Sequence, residues 1–213
     1  MMWRSFWRTA LAITLTTLSW QAWGFDLDDL QAQLQSANVV RGNFIQEKFL
    51  RSLPQPLTSQ GTFTLLAGQG LLWRVQIPIA IDMRITAEGI ARRGSAPRDG
   101  ARRDVNDTWQ ALPAKSSSGR ETRLFLAVLA GDTQGLKDNF DIVIEGESQT
   151  WKLALTPRSA LLRQVFDRIE ISGGQLVNTI EMIETQGDRS VLRMMDAKAA
   201  THISDEERRD FAN

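Results

Sequence analysis

The sequence predicts a mainly β protein with few helices, built on one large antiparallel sheet that curls because long sheets twist. Three observations carry this. Between Phe44 and Pro78, and again from Phe140 onward, apolar residues recur at every second position, the period of strands with one greasy and one wet face. Pro54 and Pro56, Gly68 and Gly70, Gly173 and Gly174, and Gly187 and Asp188 break the alternating runs into hairpins. Only two long stretches, one near the N-terminus and one before Gly131, carry apolar residues at helical spacing. Two helices are few for roughly eight to ten strands, so the cover on the greasy face is expected to be partial, with a ligand completing it.

The chain opens on MMWRSFWRTALAITLTTLSWQAWG, where Arg4 and Arg8 precede an apolar run and the small-residue site Ala22-Trp23-Gly24 follows it. This is the pattern of a secretory signal peptide over residues 1–24, cut before Phe25. The run is too short and too rich in threonine for a spanning helix, which needs roughly 20 apolar residues. Asp26 to Ala37 reads as an amphipathic helix, with Leu27, Leu30 and Leu34 on one face and acids in its first turn. Val39 to Leu50 turns to strand, although Ile45 and Phe49 face away from Phe44, and a bulge there would reconcile the two faces.

The meander that follows places Phe63 and Leu65, then Leu71, Trp73, Val75 and Ile77, then Ile79, Ile81, Met83 and Ile85 on one side. A short strand after Gly89 gives way to a loop rich in glycine, proline and charge up to Asp107. Ser118-Gly119-Arg120-Glu121 has the spacing of a capping box, ahead of a helical stripe of Leu124, Phe125, Val128 and Leu129. Gly131 to Asn139, anchored by Leu136, reads as a turn or a short helix. Strands return with Phe140, Ile142 and Ile144, with Trp151, Leu153 and Leu155, and with Val165–Ile171, Gln175–Gln186 and Arg189–Met195. The tail, residues 197–213, is polar and reads as a frayed helix or a disordered end.

Composition excludes several function classes. Basic and acidic residues number 25 each, and removing residues 1–24 takes away two arginines and no acids, so a nucleic-acid partner is not expected. There is no cysteine for a disulfide, a lipid anchor or a metal, and the lone His202 lies in the polar tail. No serine sits in a Gly-x-Ser-x-Gly elbow. No catalytic residue, metal ligand or cofactor is therefore expected, and a monomeric, non-enzymatic protein is expected.

Taken together, Phe44-Ile45-Gln46, Pro56-Leu57-x-Ser59-x-Gly61-x-Phe63, Gly70-Leu71-Leu72-Trp73, Pro78 and Gly89-Ile90 form a familiar order. Leu129-x-Gly131-Asp132, Phe140, Trp151-x-Leu153-x-Leu155-x-Pro157, Ile169 and Gly187-Asp188 extend it. Over roughly Val39 to Met194 the chain resembles the periplasmic outer-membrane lipoprotein carrier (LolA-like) superfamily, in a divergent branch. The resemblance implies an incomplete, strongly curved antiparallel β-barrel, a half-barrel, with helices as a lid on its concave face, spanning residues 25–196. It implies a periplasmic carrier of an acylated cargo, lipoprotein or lipid, moving from an inner-membrane exporter as donor to an outer-membrane acceptor. One feature departs from the family. The better-known carriers place an Arg-Pro pair shortly before the tryptophan, whose arginine helps hold the lid; here Leu65 to Gln69 stand there, so the latch has no counterpart.

With that resemblance, the stripe of Phe44, Phe63, Leu65, Leu71, Trp73, Val75, Met83, Ile85, Ile142, Trp151 and Leu153, closed by Phe125 and Leu129, is expected to line an acyl cavity rather than a dry core. Phe44 and Trp73 are expected to border that space without filling it. Arg92, Arg93, Arg98, Arg102 and Arg103 form the one dense basic run. They read as a solvated loop or as a docking patch for an acidic partner surface or lipid headgroups. Two alternatives stand beside the lipoprotein carrier: a carrier of a specialised glycolipid or polyene lipid, and an envelope lipid or stress sensor domain of the same fold. Sensors of that kind usually carry a second domain, for which the tail is too short.

Overall fold

In the computed structural model, residues 24–94, 108–112, 127–129 and 131–212 are described. Eleven strands form one antiparallel sheet in the order β6-β5-β4-β3-β2-β1-β11-β10-β9-β8-β7. They are β1 (Val39–Phe49), β2 (Leu57–Leu66), β3 (Gly70–Ile77), β4 (Ile81–Thr86), β5 (Ile90–Gly94), β6 (Gln110–Ala111), β7 (Phe140–Glu147), β8 (Thr150–Pro157), β9 (Phe166–Gly173), β10 (Val177–Glu184) and β11 (Arg189–Ala200). Each half is a meander of hairpins, and the first and last strands meet in the middle, Phe44 opposite Met194. β6 and β7 do not pair with each other, so the sheet is a curved half-barrel with two edges.

The expected bulge lies on the partner strand. Between Arg41 and Asn43 the β1–β11 register slips by one residue, taken up in β11 where Asp196 has φ 53. The Asn43 amide donates to the Asp196 carboxylate there. Ile45 and Phe49 need no bulge: they sit half-buried on the outer face, with the Arg189 guanidinium 4.3 Å from the Phe49 ring.

Helices cover part of the inner face. In α1 (Leu27–Gln35) the Asp26 side chain accepts from the backbone N–H groups of Asp28 and Asp29, while the Asp29 carboxylate accepts from the Asp26 N–H. This reciprocal cap fixes the first turn, and Leu30 and Leu34 are buried. The Gln33 amide donates to the carbonyls of Gly174 at 2.6 Å and Ser148 at 3.1 Å, tying α1 to two hairpin turns. The anchor Leu136 lies in a short helix, α2 (Thr133–Asn139), and is buried. Gly131, at φ 65, presses against α1, where a Cβ would stand 3.0 Å from that of Leu34. A further short helix, α3 (Ala160–Arg163), interrupts the segment before β9.

Of the two readings of the tail, its described residues take the helical one. The tail continues β11 to Ala200 and forms a helix, α4 (Asp205–Ala212), packed on the outer face of the first half of the sheet. Glu207 and Asp210 are its buried residues. The Glu207 carboxylate accepts from Arg41 Nε at 2.7 Å, Arg41 Nη2 at 2.5 Å, the Thr64 hydroxyl at 2.8 Å and the Ser204 N–H at 2.7 Å. Asp210 accepts from Arg74 at 2.8 Å and Arg93 at 2.7 Å, and its carbonyl accepts from Arg84 at 3.1 Å. The polar face that alternation assigned to water is, over β1 to β5, an arginine-lined seat for an acidic helix.

Candidate functional site

Alternation and register together assemble the inner face. Phe44 lies opposite Gly61, which lies opposite Val75, which lies opposite Ile81; one step along the sheet, Phe63 pairs Trp73, which pairs Met83. A Cβ on Gly61 would come within 2.8 Å of the Phe44 ring, so the glycine makes room for the phenylalanine to lie across β2. Phe44 then stacks on Trp73 with ring centroids 3.7 Å apart and planes inclined by 21°.

The structure brings most of the expected cavity residues together. Phe44, Phe63, Leu65, Leu71, Trp73, Ile85, Leu129, Trp151 and Leu153 are buried in one cluster, with Val75, Met83 and Ile142 packed on it half-buried. Phe125 lies outside the described residues. The same cluster contains Val40, Leu155, Ile169, Ile171, Ile180, Met182, Leu192 and Met194, together with Leu30, Leu34 and Leu136 from the helices. Period two along β1 and along β8 to β11 was the signal that could have found the strand members.

Under α1, among the described residues, the cluster packs closely. The hollow bordered by Leu34, Val40, Phe63, Leu65, Leu129 and Met194 holds about 10 Å³, the lower limit for a single water and no room for an acyl chain. Phe44 and Trp73 are buried, 1% and 5% exposed.

Toward the other end the face opens by degrees. Along β3, Leu71 and Trp73 are buried, Val75 is half-buried, and Ile77 is 56% exposed. Across the hairpin Ile85 is buried, Met83 and Ile81 are half-buried, and Ile79 is 69% exposed. Leu57, at the start of β2 on the same side, is 54% exposed. An apolar strip therefore runs from the buried Phe44–Trp73 pair through Val75, Met83 and Ile81. Beyond it the β2–β3 register shifts, Ile77 standing opposite Gln60, and the exposed Ile77, Ile79 and Leu57 lie at the rim, at the two hairpin turns.

The basic run divides. Arg98, Arg102 and Arg103 lie outside the described residues, whereas Arg92 and Arg93 are in β5 and not in a loop. Arg93 points to the outer face, bonded to Asp82 at 3.1 Å and Asp210 at 2.7 Å and stacked 4.4 Å from the centre of the Trp109 ring. Held in this way it cannot serve as a free docking cation. Arg92 is exposed.

Electrostatically the strongest perturbation lies on the outer face. Hydrogen bonds from Arg41 outweigh the opposing effect of burial, and with help from the Ser204 N–H, the Thr64 hydroxyl and the Arg41 charge they lower the Glu207 pKa to about 2. Among the described residues no group of acids and histidine could hold a metal ion, and no helix is long and apolar enough to cross a membrane.

The family model described as outer membrane lipoprotein carrier protein LolA-like matches residues 21–211. No curated protein sequence matches the chain. Among solved structures, a LolA superfamily protein from Nitrosomonas europaea is 10% identical with a TM-score of 0.43, the match covering 83% of this chain and 93% of that one. A domain from Vibrio parahaemolyticus, described as an outer membrane lipoprotein-sorting protein domain, is 10% identical with a TM-score of 0.45 over 89% of this chain and 98% of that one. A chain in the complex of MucA and MucB from Pseudomonas aeruginosa is 13% identical with a TM-score of 0.45 over 85% of this chain, which spans 58% of that chain's length.

Proposed function

Because this chain belongs to the outer membrane lipoprotein carrier protein LolA-like family, we propose that it is a periplasmic carrier that takes an acylated cargo, lipoprotein or lipid, from an inner-membrane donor toward an outer-membrane acceptor. The observation that supports this reading is the graded apolar strip from Trp73 through Val75, Met83 and Ile81 to Ile77, Ile79 and Leu57. An acyl chain laid along it is sheltered at one end and reachable at the other.

The energetics favour such a half-open seat. Burying each methylene contributes roughly 0.8 kcal/mol, so two chains of about 16 carbons, fully enclosed, sum to about 25 kcal/mol, beyond the ceiling of non-covalent affinity. Cargo held that firmly would not leave. A strip that covers part of each chain leaves the remainder for a receiving partner to grasp.

The test is a fluorescent acyl probe titrated into the secreted protein and its Ile77→Glu/Ile79→Glu variant. Both side chains are exposed, so the melting temperature is expected to stay within a few degrees while probe affinity falls at least tenfold. Wild-type affinity in the variant would remove the strip as the binding seat.

A further inference from the structure

The strip carries one cation that the fold leaves uncommitted. Because side chains alternate along β5, the position after Arg92 sends Arg93 to the outer face, into Asp82 and Asp210, and Arg92 itself therefore stands on the inner face. Its cross-strand neighbours are Met83 of the strip and Gln110 of β6. The other basic residues of β1 to β5 are all engaged: Arg41 with Glu207, Lys48 with Glu184 at 3.2 Å, Arg74 and Arg93 with Asp210, and Arg84 with the Asp210 carbonyl. Among the described residues no acid pairs with Arg92, which is exposed.

We infer that Arg92 is the headgroup-binding residue of the strip and that the cargo is an anionic amphiphile, with an acyl tail on Val75, Ile81 and Met83 and a carboxylate or phosphate on the guanidinium. This rests on the carrier reading above and narrows it to a class of cargo. The chemistry follows from the pairing of an open aliphatic surface with a planar fork of donors at its margin. Such a fork matches carboxylate and phosphate oxygens two at a time, and its charge-assisted bonds are stronger where neighbouring apolar atoms keep water off one side. An acyl cargo ending in a neutral ester or amide gains only an uncharged hydrogen bond from it, and a cationic one is repelled.

The experiment compares three ligands of one chain length, a fatty acid, a lysophosphatidic acid and a neutral monoacylglycerol, as competitors of the acyl probe. Wild type, Arg92→Gln and Arg92→Lys are each measured at low and high salt. One or both anionic ligands are expected to bind wild type about tenfold more tightly than the neutral one, and high salt is expected to shrink the gap. Preference for the fatty acid alone identifies a carboxylate head, and for the lysophosphatidic acid alone a phosphate head. Arg92→Gln should bring the anionic ligands to the neutral level without moving the neutral one, with Arg92→Lys in between. Equal binding of all three by wild type, or an equal loss of all three in Arg92→Gln, overturns the headgroup assignment while leaving the carrier reading intact. No binding of any of them by wild type overturns both.

Discussion

Replacing Glu207 with alanine is expected to destabilise the fold by about 3 kcal/mol, the lower end of the range for breaking a buried ion pair. The substitution strips acceptors from Arg41, Thr64 and the Ser204 N–H at once. Arg41, about a third exposed, can recover water and keeps its bond to the His202 carbonyl, which is why the higher end is not reached. The ion pair also sets a pH dependence. A carboxyl held near 2 in the fold, against 4.5 ordinarily, stabilises the protein fully above about 4.5 and progressively less as pH falls toward 2. That interval corresponds to about 3 kcal/mol. Denaturant unfolding of wild type and Glu207→Gln at several pH values checks it: the two should differ at pH 7 and converge near pH 2. A difference that stays constant across this range would place the stabilisation in packing of α4 rather than in the charge.

This helix also shows where sequence reasoning stops. Ser204-x-x-Glu207 is a capping box in plain sight, and it forms, with the Ser204 hydroxyl accepting from the Glu207 N–H and the Glu207 carboxylate from the Ser204 N–H. The residues that α4 buries are acids, however, and a buried acid looks like a solvated one until its partners are known. Those partners, Arg41, Arg74, Arg84 and Arg93, come from four strands and face one way only because of the register between them. Period two was enough to separate Arg92 from Arg93 had β5 been extended past Ala91. The loop reading prevailed because glycine, proline and charge dominate the residues just beyond.

The strands themselves were legible because each alternates over a local stretch. Strand order was not, since β1 and β11 are brought together across the length of the chain. The residues that alternation assigned to one apolar face, from Phe44 to Leu153, are gathered in one cluster wherever they are described. What alternation cannot convey is depth along that face. Leu71, Trp73, Val75 and Ile77 have identical standing in a two-residue period, yet they run from buried to exposed because α1 covers the Leu65 end and not the hairpin turns.

That gradient sets the expectation for Phe44→Ala, a loss of about 3–5 kcal/mol as for other buried phenylalanines. For a chain of this size the loss lowers the melting temperature by on the order of 10 °C. The ring is fully enclosed, seated over Gly61 and stacked on Trp73, so its removal leaves a hollow that the rigid strands on either side cannot collapse into. The hollow joins the inner end of the strip at Val75, directly across from Gly61. A chain lying on the strip could then reach deeper, so acyl-probe affinity in Phe44→Ala is expected to match or exceed that of wild type although the fold is weaker. Phe44→Glu has no such route: the carboxylate would sit among apolar side chains without a partner, and the variant should fail to fold. Thermal melts and probe titrations on Phe44→Ala, Phe44→Glu and the rim variant Ile77→Glu/Ile79→Glu separate the two roles. Stability should be lost at Phe44 with binding kept in Phe44→Ala, and binding lost at the rim with stability kept. A loss of both properties in parallel at both places would mean that buried core and open strip are one unit, and that the strip has no binding role of its own.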